Sequence, residues 1–161
     1  MLKLLKFLLL CLTLLAFGST HAETTSVGSA KDKSFTGKQV EYYANGKQKY
    51  AVNYIKGKKE GLETFWYFGG AKYIETHYKN DKEDGTWSQW YESGQLKLDA
   101  QYKDGKEHGT FKQWYEDGKP RSEATFKAGK KFGTETYWNK DGSIKSQTLY
   151  QDGQVVSEPV Q

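Results

Sequence analysis

Chemically capable side chains are sparse in this sequence. Beyond residue 22 it has no cysteine and only two histidines, His77 and His108, which leaves neither a thiolate nucleophile nor a His–Cys set for a transition metal. One period of 24 residues away from His77 lie Asn53 and Gln101, and around His108 lie Asp84 and Phe132. Neither position selects for imidazole, so both histidines read as solvated surface groups. The run Asn80-Asp-Lys-Glu-Asp84 sets a lysine among its carboxylates and lacks the further ligands of a calcium loop. No nucleophile–base arrangement and no phosphate-cradling glycine loop stands out, so the expectation is a non-enzymatic protein without metal or cofactor. What remains is aromatic stacking. Trp66, Trp90, Trp114 and Trp138 recur every 24 residues, and flat rings at regular spacing suit a repetitive ligand.

The elements that hold these rings follow from the same period. Gly46, Gly70, Gly94, Gly118 and Gly142 form one column; Gly61, Gly85, Gly109 and Gly133 form a second, with Gly37 upstream. Gly57, Gly105, Gly129 and Gly153 form a third, in which Asp81 replaces one member. An aromatic column runs Tyr54, Tyr78, Tyr102, Phe126, Tyr150. Each copy holds two turn sites, Asn45-Gly46 through Asp141-Gly142 and Lys56-Gly57 through Asp152-Gly153, and most of these pairs supply the positive φ of a type I′ turn. Segments between them, such as residues 95–102, alternate polar and apolar as strands do. The fold class is all-β: an elongated, twisted antiparallel β-meander built from tandem 24-residue β-hairpin repeats.

Counting pairs across tight turns sets Gly61 opposite Tyr78, Gly85 opposite Tyr102, Gly109 opposite Phe126 and Gly133 opposite Tyr150, with each ring over the bare glycine backbone. The same count sets Trp66 against Tyr73, Trp90 against Lys97, Trp114 against Arg121 and Trp138 against Lys145, the last three suited to cation–π contact. Parity places Tyr50, Val52, Ile74, Trp87, Leu98 and Phe111 on the face of the Tyr54 column, the expected core, along with Tyr67, Tyr91 and Tyr115. The tryptophans fall on the other face, as repeat-stacking core or as a binding ladder with Lys97, Arg121 and Lys145. A one-residue bulge at the glycines would exchange the two faces.

The N-terminus reads as a secretory signal over residues 1–22. Lys3 and Lys6 precede an apolar run from Phe7 to Phe17, and small residues lead to a cut after Ala22, with a cut near Gly18 as the alternative. Cleavage removes the only cysteine, Cys11, and lowers the formal charge from +4 to +2, too balanced to favour nucleic acid or an anionic membrane. Residues 23–34 read as a flexible leader, 35–154 as the repeat array, and 155–161, with Pro159, as a fraying tail. With 36% hydrophobic residues and 17 glycines, the array must draw its stability from repetition and not from a thick core.

The pattern Tyr91-Glu-Ser-Gly94, Tyr102-Lys-Asp-Gly105, Gly109 and Trp114-Tyr115 resembles the MORN repeat, in the bacterial variant of YwqK-family antitoxin proteins. The resemblance spans about residues 37–154. It implies an elongated antiparallel sheet used for protein interaction, with attachment near membranes in some relatives, and the antitoxin label implies a toxin neutralised by direct binding. The signal segment moves any such target out of the cytoplasm, to the periplasm or beyond. The expected function is an exported protein-interaction module, antitoxin- or immunity-like, with cell-wall or surface glycan on the tryptophan ladder as the alternative.

Overall fold

A computed structural model describes residues 33–160, with side chains through 157. The signal segment 1–22 and most of the leader lie outside the described residues.

Two kinds of turn alternate along the chain. At Lys56-Gly57, Asn80-Asp81, Asp104-Gly105, Ala128-Gly129 and Asp152-Gly153 both residues have positive φ, as in Asp104 (50°) and Gly105 (78°). These are the expected type I′ turns. The other series differs from the expectation. At Asn45-Gly46, Gly69-Gly70, Ser93-Gly94, Asp117-Gly118 and Asp141-Gly142 only the second glycine is left-handed. The Gly94 amide donates to the Tyr91 carbonyl (2.9 Å) and the Tyr91 amide to the Gln95 carbonyl (2.9 Å), the wider type I turn with a glycine bulge.

The strands between these turns are β1 (Gly37–Tyr42), β2 (Gln48–Ile55), β3 (Lys58–Trp66), β4 (Lys72–Lys79), β5 (Lys82–Trp90) and β6 (Leu96–Lys103). The second half continues with β7 (Lys106–Trp114), β8 (Pro120–Lys127), β9 (Lys130–Lys131), β10 (Gly133–Trp138), β11 (Ile144–Gln151) and β12 (Gln154–Val160). Every strand pairs antiparallel with its chain neighbour in one open sheet, β10 follows β8 in spatial order, and β9 is a short segment also paired to β8. The tail expected to fray instead adds β12 as an edge strand on β11, because Val155 and Ser157 find ladder partners in Tyr150 and Leu149.

The glycine pairing is as expected: Gly61 faces Tyr78, Gly85 Tyr102, Gly109 Phe126 and Gly133 Tyr150. Its reason is different. A Cβ built on Gly61 or Gly133 meets nothing within 4 Å, so lack of room for a side chain does not demand glycine there. The glycines are needed for their left-handed φ, between 75° and 121° across Gly61, Gly85, Gly109 and Gly133. On its other side each sits in a wide bulge: Glu60, Gly61 and Leu62 together face the single Asn53, between the pairs Val52–Glu63 and Tyr54–Lys59. Because the bulge inserts two residues, strand alternation is preserved and the faces keep the expected assignment.

Among the described residues the sheet has no second layer, so burial comes from neighbours within it. Val52 is 1% exposed, and Tyr54, Ala100 and Ala124 are buried beside it on what we term the tyrosine face. Ala51, Thr64 and Thr136 are buried on the opposite, tryptophan face. Successive repeats are also stitched by side chains. The hydroxyls of Tyr43, Tyr67, Tyr91 and Tyr115 donate to the carbonyls of Trp66, Trp90, Trp114 and Trp138, one repeat ahead, at 2.6 to 2.9 Å. Asn139 stands where the next tyrosine would be, and the ladder stops there.

Candidate interaction surfaces

The tyrosine face is built around carboxylates. Glu63 is 4% exposed and accepts from the Lys59 ammonium (2.5 Å) and the Tyr50 hydroxyl (2.7 Å), while Lys59 also lies over the Tyr78 ring, 4.7 Å from its centroid. The same constellation recurs three repeats later, with Lys131 on Glu135 (2.6 Å), Tyr137 on Glu135 (3.1 Å) and Lys131 over Tyr150 (4.9 Å). Between these two ion-paired ends the columns change character. Glu83 and Glu107 replace the lysines, and Trp87 and Phe111 replace the buried glutamates. At the N-terminal end an open recess of about 370 Å³ lies between Tyr50, Tyr54, Phe65 and Glu63. Gln39 lines it with a buried Oε1 that has no hydrogen-bond partner among the described residues.

Several tyrosine hydroxyls are held neutral by this setting. Burial, followed by the hydrogen bond and charge of Glu63, pushes Tyr50 and Tyr78 well above the ordinary phenol value, and burial with Glu107 and Glu83 raises Tyr102. An acid whose pKa is raised on folding contributes stability below its unfolded pKa, near 10, and loses it as pH rises toward the folded value. The urea midpoint is therefore expected to hold steady from neutral pH to about 9.5 and to fall above 10. A class of phenols should ionise only with unfolding in an absorbance titration at alkaline pH; smooth ionisation of every tyrosine in the folded chain would contradict this.

The tryptophans do not meet their expected partners. The ladder shifts by one residue between Gln89 and Trp90, so Trp90 pairs with Leu96; likewise Trp66 pairs with Lys72, Trp114 with Pro120 and Trp138 with Ile144. The wider turn causes the shift and leaves Tyr73, Lys97, Arg121 and Lys145 as the extra residues. The Lys97 ammonium lies over Tyr91 (5.4 Å) and the Tyr73 ring contacts Tyr67 (4.8 Å), both away from the tryptophan face. Arg121 and Lys145 are exposed and stack on no ring. Among the described residues the cation that meets a tryptophan is Lys72, 5.5 Å from the Trp90 centroid and hydrogen-bonded to Glu75 (2.6 Å), a contact between the adjacent strands β4 and β5 just past the end of their paired ladder.

Trp66, Trp90, Trp114 and Trp138 are half-buried, and among the described residues none stacks on another aromatic ring. Beside them a row of cross-strand neighbours runs Thr64, Glu75, Ser88, Asp99, Lys112, Glu123, Thr136, Gln147. It is tied by Ser88 to Asp99 (2.7 Å), Lys112 to Glu123 (3.5 Å) and Gln147 to Thr136 (3.2 Å). His77 bonds Thr86 through Nδ1 (2.8 Å), and both histidines are exposed. Among the described residues no three His, Cys, Asp or Glu side chains converge as a metal site.

An open sheet of stitched, 24-residue hairpins with two long uncovered faces defines a tandem-repeat interaction scaffold. Residues 35–56, 83–104 and 107–128 match the MORN repeat variant, and residues 59–80 and 131–152 repeat the same strand–turn pattern between and after them. The chain thus carries MORN repeats of the variant type. No curated protein matches it.

Proposed function

We propose that the chain is an exported, non-enzymatic module that binds another protein outside the cytoplasm, in the manner of an antitoxin or immunity protein. The observation carrying this reading is the centre of the tyrosine face, where Trp87 and Phe111 are half-buried on a single-layer sheet, flanked by Glu83 and Glu107, which form no ion pair among the described residues. Half-covered aromatics with a polar margin are the composition of protein interfaces. Export rests on the Lys3, Lys6 and Phe7–Phe17 pattern ending at Ala22. The test is affinity capture from a periplasmic and cell-wall extract of the host, with Trp87→Ser/Phe111→Ser as the comparison bait. One protein enriched by the unaltered chain and lost with the double variant supports the reading; no enriched protein under several growth conditions overturns it. A protein retaining its unprocessed N-terminus inside the cell would overturn the export part alone.

A second reading is favoured by the unstacked tryptophans beside the polar row. Equivalent strands lie roughly 10 Å apart, and rings at that interval with hydroxyl, amide and carboxylate neighbours suit a wall or surface glycan. Sedimentation with wall material that survives Trp90→Ala/Trp114→Ala would count against it.

A further inference from the structure

The repeat supplies its own control for what the C-terminal end should look like. In the column of Phe132, Thr36, Glu60 and Asp84 accept hydrogen bonds from the Lys56, Asn80 and Asp104 amides and so close the next turn (2.9, 2.9 and 3.2 Å). The Phe132 side chain has no acceptor to offer, is 51% exposed, and makes no ring contact among the described residues; Val156, one period on, is 50% exposed. Leu149, 41% exposed, ends a column otherwise made of Asn53, His77, Gln101 and Thr125. Phe132, Leu149 and Val156 together line a recess of about 280 Å³ beside the last strand. Two surface columns that are polar earlier in the array thus turn apolar together at one end.

The edge itself is equally atypical. Lys58, Lys82 and Lys106 open β3, β5 and β7, which lie inside the sheet path, and Lys130 opens β9, paired to β8. Lysine is most useful on an exposed edge, where it discourages further pairing. In β12 the corresponding residue is Gln154, and residues 154–157 carry no charge; Glu158 and Pro159, which discourage pairing, stand only toward the strand's far end. The opposite edge is guarded: β1 carries exposed Lys38, and the chain before it is held by the Phe35 carbonyl on the Gly57 amide (2.7 Å) and by the Phe35 ring on Tyr54 (5.8 Å).

Strand direction then selects the occupant. The path β1 to β8, β10 to β12 has eleven positions, each antiparallel to the next, so the two edges run the same way. Stacking copies head to tail would set β12 parallel to β1. A two-fold axis sets β12 antiparallel to its own copy, the pairing used throughout the sheet, and joins the two apolar recesses in one self-complementary patch. We infer that β12 is a dimerisation edge, on which a second copy of this chain continues the sheet across a two-fold axis, with Phe132, Leu149 and Val156 packed at the seam. The guarded β1 edge stops the assembly at two. This inference does not depend on the identity of any partner.

The test is sedimentation equilibrium of the chain as recovered after export from its host. The expected result is twice the chain mass at micromolar concentration, reduced to one chain mass in Val156→Lys and in Phe132→Glu. A monomeric unaltered chain, or a dimer that persists in both variants, overturns the inference. Should either variant misfold, amide exchange of the unaltered chain decides: protection of residues 154–157 must fall on dilution, and protection independent of concentration is the overturning result.

Discussion

Replacing Lys59 with Met is expected to cost about 3–5 kcal/mol of stability, because it strands Glu63, 4% exposed, without the charge that compensates its burial. Few places in this thin sheet can lose so much to one substitution. The matching change at Lys131 should cost less, since Glu135 is somewhat more exposed. The array contains the remedy. One and two repeats on, the position of Glu63 is filled by Trp87 and Phe111, with no ion pair beneath. Lys59→Met combined with Glu63→Phe should therefore recover most of the loss, since an apolar replacement of both partners removes the buried charge. Urea unfolding followed by tryptophan fluorescence reads all of these variants. A single variant as stable as the parent would mean that Glu63 reaches water in solution.

Gly85→Ala is the second large effect. Gly85 has φ of +121°, and a Cβ there would lie 3.0 Å from the His77 Cβ, an atom tied to backbone that cannot swing aside. Backbone strain of this kind costs on the order of 1–3 kcal/mol, and the contact adds to it. Gly61 is the natural comparison: it occupies the same place one repeat earlier, with φ of +78° and open space around the would-be Cβ. Gly61→Ala should cost only about 1–2 kcal/mol, the usual left-handed penalty. Equal losses at the two sites would show that the bulge relaxes in solution and that the glycines share one role.

Much of this architecture was legible because the recurring residue types are those whose backbone needs are special. Glycine columns marked the turns, alternating strands marked the meander, and the Gly–aromatic pairs followed by counting. Turn type was not legible. Asn45-Gly46 and Asp141-Gly142 are better type I′ pairs than Lys56-Gly57 or Ala128-Gly129, yet the structure assigns the types the other way round. Tyr43, Tyr67, Tyr91 and Tyr115 stitch four of the five wider loops to the tryptophan carbonyls of the next repeat, and the fifth, at Asp141-Gly142, keeps the same shape without a stitch, with the Ser143 amide donating to the Asp141 carboxylate. That one displaced residue moved Lys97, Arg121 and Lys145 away from the tryptophans. The Lys59–Glu63 pair was missed for another reason. Four residues apart on a strand, the two share a face but stand well apart; the wide bulge at Gly61 draws them together.

The tyrosine-to-carbonyl stitches also bear on how the molecule carries load. Its two ends lie at opposite edges of the sheet, so tension applied between them acts across the strands and meets the ladder bonds one pair at a time. Such a geometry peels: each stitched hairpin that yields adds at most about 80 Å of slack and leaves its neighbours folded, since each repeat holds mainly to those beside it. The chain is thus a soft, extensible tether that lengthens in steps under pull, with the unstitched end at Asn139 as the place where peeling begins.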